Sequence, residues 1–287
     1  MSMPNHLHHT DEVNHFIVTV PQILLAFPFV ILLTIYIVAT IITNRRYRPW
    51  PLYRTVLWTL GIVCAIIAVA GPLANRAMED FTFHMLTHLL LGMLAPLLMA
   101  LGAPMSLVLR TLRTPLARRL SKALKSWPSR LYTHPIVAAF LNIGGLWLLY
   151  TTDLYPLMHE NSLVHILVHL HVFIAGYLFT ISIIYVDPVA HRISFLYRAI
   201  VLMLALAGHG ILSKYIYANP PVGVSVKQAE AGGMFMYYGG DAIDALLIIF
   251  LCLQWYRATR PRTVLTKGNK QEQTVQSSNT MPIDISK

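Results

Sequence analysis

Thirteen histidines stand in this chain of 287 residues, and most gather toward one side of its apolar segments. His84 and His88 are four residues apart, as are His165 and His169. On a helix each pair shares a face. Asp241 and Asp244, three apart, share a face in the same way, and His209 lies in a neighbouring apolar run. Ionisable groups inside a membrane cost several kcal/mol unless they face the bundle interior and find partners. Imidazole and carboxylate together form a donor set for zinc, copper(II) or iron, and thioether sulfur favours copper(I). The expected metal-binding residues are therefore His84, His88, His165, His169, His209, Asp241 and Asp244. An Asp could instead accept from a ligating His and fix its tautomer. Met85, Met158 and His159 lie at the same depth as auxiliary groups, although Met is also ordinary packing material. His171 falls on a different face from His169 and reads as a hydrogen-bonding residue.

The elements that must position these groups are apolar. The chain is 56% hydrophobic and 12% charged, against roughly 25% charged in soluble domains. Lipid is the expected solvent. A membrane-crossing helix needs about 20 mostly apolar residues. Seven segments qualify, near 20–43, 54–72, 83–109, 134–151, 161–185, 195–217 and 234–256. None alternates like a barrel strand, so the expected fold is an all-α bundle of seven transmembrane helices. Residues 1–19 read as an external His-containing tail with His6, His8, His9 and His15, and 257–287 as a polar, disordered cytoplasmic tail. The two cysteines, Cys64 and Cys252, sit in apolar runs and give no disulfide framework or thiolate motif.

Basic residues orient the bundle. Nineteen of 22 Lys and Arg fall in the links after segments one, three and five and in the C-terminal tail. By the positive-inside rule the N-terminus is outside and the C-terminus cytoplasmic. The net charge of +10 is then a topology signal and a lipid contact rather than a nucleic-acid footprint. In the third link, Leu112, Leu116, Leu120 and Leu124 recur every four residues among Arg118, Arg119, Lys122 and Lys125, which predicts a helix lying in the interface. No nucleophile–base set is present that would make the chain a hydrolase or transferase.

Two stretches carry a resemblance. FTFHMLTHLLLGMLAPLLMALGAP (Phe81 to Pro104) and LYPLMHENSLVHILVHLHVFIAGYLF (Leu154 to Phe179) resemble the CtaG family of bacterial cytochrome c oxidase assembly factors, and AGGMFMYYGGDAIDALL fits its closing helix. The similarity covers about residues 20 to 256. Where the family carries a DQQ-like run before the last helix, this chain reads VSVKQAEAGG and keeps only Gln228. The resemblance implies a multi-pass protein of the bacterial cytoplasmic membrane that assists assembly of a caa3-type haem–copper oxidase at the copper-loading step. Its partner would be a copper-containing oxidase subunit, and its cargo copper. Two other readings stay open on the residues themselves. One is a bis-His haem protein using His88 and His169; the other is a proton or metal-ion transporter with a relay through His209, Asp241 and Asp244.

Overall fold

The computed structural model describes residues 6–189 and 192–260, with side chains from Val20 onward. Among these residues every regular element is helical. In chain order they are α1 (His6–Arg46), α2 (Leu52–Val69), α3 (Pro72–Glu79), α4 (Phe81–Leu101), α5 (Pro104–Thr111) and α6 (Thr114–Leu124). Then come α7 (Trp127–Tyr132), α8 (Pro135–Thr151), α9 (Leu154–Glu160), α10 (Ser162–Ile183), α11 (Phe195–Ala218) and α12 (Val226–Thr259). Six of them are long and apolar enough to cross a membrane. The bent pair α8–α9, with 78° between its halves, makes a seventh if it counts as one span. Large apolar side chains such as Ile23, Leu60, Leu167 and Leu204 are exposed around the bundle, as lipid contact requires.

The element that carries His84 and His88 is the central one. Helix α4 packs against α2, α3, α10 and α12. Its membrane window is 67% buried, whereas the other five windows are 22–33% buried. Its prolines act differently from one another. Pro96 cannot donate to the carbonyl four residues back, Gly92, and its ring crowds that oxygen. The helix responds with a π turn over Leu90–Leu94, in which the Ala95 N–H donates to the Leu90 carbonyl. Such a turn shifts the register without ending the helix.

Pro104 does end it. The expected third segment ran from 83 to 109 with Pro96 and Pro104 interrupting and kinking it, and the structure makes the interruption at the second proline a full break at Gly102 and Ala103. Proline disfavours right-handed helix at the residue before it, and Ala103 takes the left-handed region at φ 51°. Tyr36 of α1 pins this break by donating to the Gly102 carbonyl (2.8 Å) and accepting from Trp50 Nε1 (3.0 Å). Asp187, from the far side of α10, accepts from the Met105 and Ser106 N–H groups at the start of α5 (3.0 and 2.7 Å).

The last helix is also longer than expected. It starts at Val226, where the Ser225 hydroxyl accepts from Gln228 N–H, and runs through both Gly pairs to Thr259. Helix α1 likewise already begins at His6. The helix expected over the basic third link is present as α6, which has no buried residue. Residues 261–287, expected to be disordered, lie outside the described residues. Arg198 departs from its reading as a headgroup-facing topology charge. It is buried, its guanidinium donates to the Ile183 carbonyl at the end of α10, and the rings of Tyr185 and Phe195 stack on it at 4.0 and 4.4 Å.

Candidate functional site

The histidines form two groups rather than one. The first lies where α3, α9 and the start of α10 meet the start of α4. His84, Met158, His159, His165 and His169 line a cavity of about 130 Å³ there. The second lies deeper, between α4, α10, α11 and α12. His88, His209, Asp244, Asn142 and Met93 line a space of about 20 Å³. A slit of about 10 Å³ lies between them, sharing His84 and His169 with the outer cavity and His88 with the inner one.

Local structure fixes the outer rings. Asp80 caps α4 by accepting from Thr82 N–H (2.7 Å), which sets His84 one turn in. Asn161 caps α10 by accepting from Leu163 and Val164, which sets His165 and His169 on successive turns. The ring nitrogen Nδ1 of His169 lies 2.9 Å from the His165 carbonyl, and Nδ1 of His159 lies 3.0 Å from the Tyr155 carbonyl. A nitrogen facing a carbonyl must carry the proton, so both rings present a bare Nε2. Backbone anchoring of this kind is how metal-ligating histidines are usually oriented. The rings of His165 and His169 lie 4.1 Å apart, and His165 Nδ1 is buried without a partner.

The inner group is drier. His88 is buried with neither ring nitrogen hydrogen-bonded, and His209 Nε2 is also unpartnered. Their rings stand 6.3 Å apart, close to parallel. Gly240 makes room for His209, since a Cβ there would come within 2.5 Å of Cε1. Orphaned buried donors and acceptors cost about 1–3 kcal/mol each. Asp244, 3% exposed, supplies the carboxylate of this chamber.

Not every expected residue arrives. Asp241 is exposed and lines none of the three spaces, so the Asp pair does not act as one face toward the histidines. Met85 is fully buried in an apolar cluster with Phe81 and Met236, off every cavity wall. His171 donates to the Leu141 carbonyl (3.1 Å), an acceptor inside the π turn of α8, as its hydrogen-bonding reading required. Among the described residues, no three His, Cys, Asp or Glu side chains stand close enough together to hold one ion as placed. Six of the seven expected residues therefore fall into two neighbouring groups, because α4 sets His84 and His88 one turn of depth apart.

Two tyrosines were invisible to spacing arguments. The Tyr150 hydroxyl lies 3.1 Å from His84 Nε2, and the Tyr155 ring packs edge-on to His84 at 5.1 Å. Both close a span end that bends sharply between α8 and α9, and nothing in the sequence gives that angle. Changing Tyr150 to Phe leaves His84 Nε2 buried without its partner and should lower stability by about 1–3 kcal/mol. Thermal unfolding in detergent checks this; an unchanged midpoint means that the hydroxyl is not a partner of His84.

A family profile described as Cytochrome c oxidase caa3 assembly factor (Caa3_CtaG) matches residues 34–258. The chain belongs to this family. The match runs from within α1 to the last turn of α12 and contains every histidine of both groups. An uncharacterized protein of Mycobacterium leprae is 25% identical over 243 residues, covering 77% of this chain and 37% of the relative. One from Mycobacterium bovis is 29% identical over 238 residues, covering 76% and 36% respectively. The chain thus spans a little over a third of the length of these curated relatives. No solved structure matches. Membership of the caa3 assembly factors accords with multiple apolar helices and a multi-pass membrane protein.

Proposed function

We propose that this assembly factor binds copper through its histidines and passes it to a copper-containing subunit of the oxidase. The observation that carries the reading is the set of imidazole nitrogens with no protein partner on neighbouring cavities: Nε2 of His159 and His169 outside, and one of the two unpartnered nitrogens of His88 with Nε2 of His209 inside. Copper accepts such a set, and Met158 offers a thioether beside it for copper(I). The outer cavity of about 130 Å³ admits a hydrated ion, and the inner space of about 20 Å³ suits one that has shed its water. Asp244 would offset its charge. The asymmetry of Lys and Arg supports an orientation with these cavities at the outer face of the cytoplasmic membrane and the C-terminus inside.

Haem fits the same rings less well, because ligand pockets run to about 300–1,000 Å³ and the His-lined spaces measure about 130, 20 and 10 Å³. A transporter would need polar groups continuing from His209 and Asp244 to the other side. Leu247, Leu251 and Leu202, by contrast, belong to a buried apolar cluster.

Elemental analysis with an absorbance scan tests the proposal on detergent-purified protein beside a His88→Ala/His169→Ala variant. Copper in molar parity with the parent chain and none in the variant is the expected result. Iron with a Soret band would transfer the site to haem, and no metal after copper loading would overturn the reading.

A further inference from the structure

A large cavity lies at the opposite end of the bundle from the histidine groups. It measures about 450 Å³, within the range of ligand sites. The end of α10 (Leu178, Ile181, Ile184) and Leu124 of α6 give it an apolar body. Ser129 and Arg130 of α7, with His134 just beyond, give it a polar rim. Nothing in the copper reading uses it.

Its charge is one-sided. The carboxylate on its wall, Asp187, is already engaged by Met105 N–H, Ser106 N–H and the Ser106 hydroxyl (3.0, 2.7 and 2.6 Å). Both of its oxygens are thus occupied in holding the start of α5, and the positive charge of Arg130 is left to balance an incoming group. The rim also has a defined depth. Trp127 and Tyr132 flank Arg130 on α7 and are exposed, and exposed aromatics beside apolar spans sit at headgroup level. Helix α6 leads into α7 with Arg118, Arg119 and Lys122 and has no buried residue, which is the composition of a helix lying on an anionic leaflet.

We infer that this cavity binds an anionic phospholipid, with the phosphate at Ser129 and Arg130 and an acyl chain along Leu178 and Ile181. An apolar slot with a single cationic mouth at the interface matches that amphiphile. A free anion would leave the apolar body unfilled, and a neutral apolar molecule would make no use of the Ser129 and Arg130 rim.

Native mass spectrometry of the full chain, delipidated in detergent and then offered phosphatidylglycerol or phosphatidylcholine, tests this. The parent should retain one phosphatidylglycerol with about a fivefold preference over phosphatidylcholine, the effect of one near-surface cation. Ser129→Ala/Arg130→Ala should remove the preference and Arg130→Lys should keep it. Leu178→Trp, which fills the apolar body, should weaken both lipids. Lys122→Ala/Lys125→Ala, exposed at the end of α6, should change neither. Equal binding of the two lipids by the parent, or loss of preference only in the α6 variant, would overturn the site. Displacement of the lipid by inorganic phosphate at the same concentration would also overturn it and mark the rim as a free-anion site. Copper content is a separate readout, so failure here leaves the histidine reading untouched.

Discussion

Gly176→Ala is expected to be the most damaging single methyl group that can be added to this protein. Gly176 of α10 lies directly against the Gly92 carbonyl of α4, and a Cβ at that position would overlap the oxygen and its carbon. The obstacle is backbone, so no side chain can swing aside. The carbonyl stands there because Pro96, four residues on, cannot donate to it. The π turn over Leu90–Leu94 then leaves that oxygen facing α10. Close helix approach at small residues is a main source of cohesion where lipid removes the hydrophobic drive between helices. Separating α4 from α10 also separates His84 and His88 from His165 and His169. Overpacking costs typically about 1–3 kcal/mol and occasionally more, and the upper end or beyond is expected here. Gly144→Ala is the control. Its Cβ would meet only the Phe140 ring, at an ordinary 3.7 Å, in a residue already helical at φ −62°. That change should be neutral, or stabilising by up to about 1 kcal/mol through helix propensity. Thermal unfolding of the two variants in detergent decides the matter, and equal midpoints would refute the proposed contact.

That contact also marks the boundary of what the residues alone could reveal. The apolar lengths sufficed for the helical fold and for seven candidate spans, because a bilayer fixes helix length. They also placed α8, α10 and α11 within about two residues of their observed bounds. The fate of each proline was not legible. Pro96 and Pro104 stand in the same apolar run, yet one is absorbed in a π turn and the other ends α4. The difference is tertiary: Tyr36 and Asp187 supply the partners that satisfy the backbone around the second break. Arg198 shows the same limit, since a basic residue at a span end reads as a headgroup contact until a carbonyl and two aromatic rings close around it.

For the site, helical spacing put His84 with His88 and His165 with His169 on shared faces, and in the structure the rings of His165 and His169 stand 4.1 Å apart on one cavity. Spacing could not tell which member of a pair points outward along the axis. His84 joins the outer cavity and His88 the inner one. For the Asp pair, three residues of separation turned out to be enough rotation to bury Asp244 and expose Asp241. His159, expected as an auxiliary group, has its ring on the outer cavity with Nδ1 tied to the Tyr155 carbonyl. The sharp bend into α9 brings it there.

His88→Leu should then move stability and metal response in opposite directions. The metal-free chain carries two unpartnered ring nitrogens on His88, in a chamber too small to hold bulk water around them. Replacing that ring by an apolar side chain of similar volume removes an orphan cost of about 1–3 kcal/mol per group. The metal-free variant should therefore melt higher than the parent. Copper should reverse the ranking. A ligand at a hundred times its dissociation constant stabilises by about 2.7 kcal/mol, and the parent alone should show that gain. His209→Leu should behave in the same way to a smaller degree, since only its Nε2 is orphaned. His165→Ala/His169→Ala should slow or weaken loading while leaving the inner chamber able to bind at high copper. A histidine that served only to hold the bundle together would give the contrary pattern, with a lower midpoint and an undiminished copper shift. Paired melting curves with and without copper separate the two, because stability given up in the empty protein and recovered on loading is the mark of a group kept for its ligand.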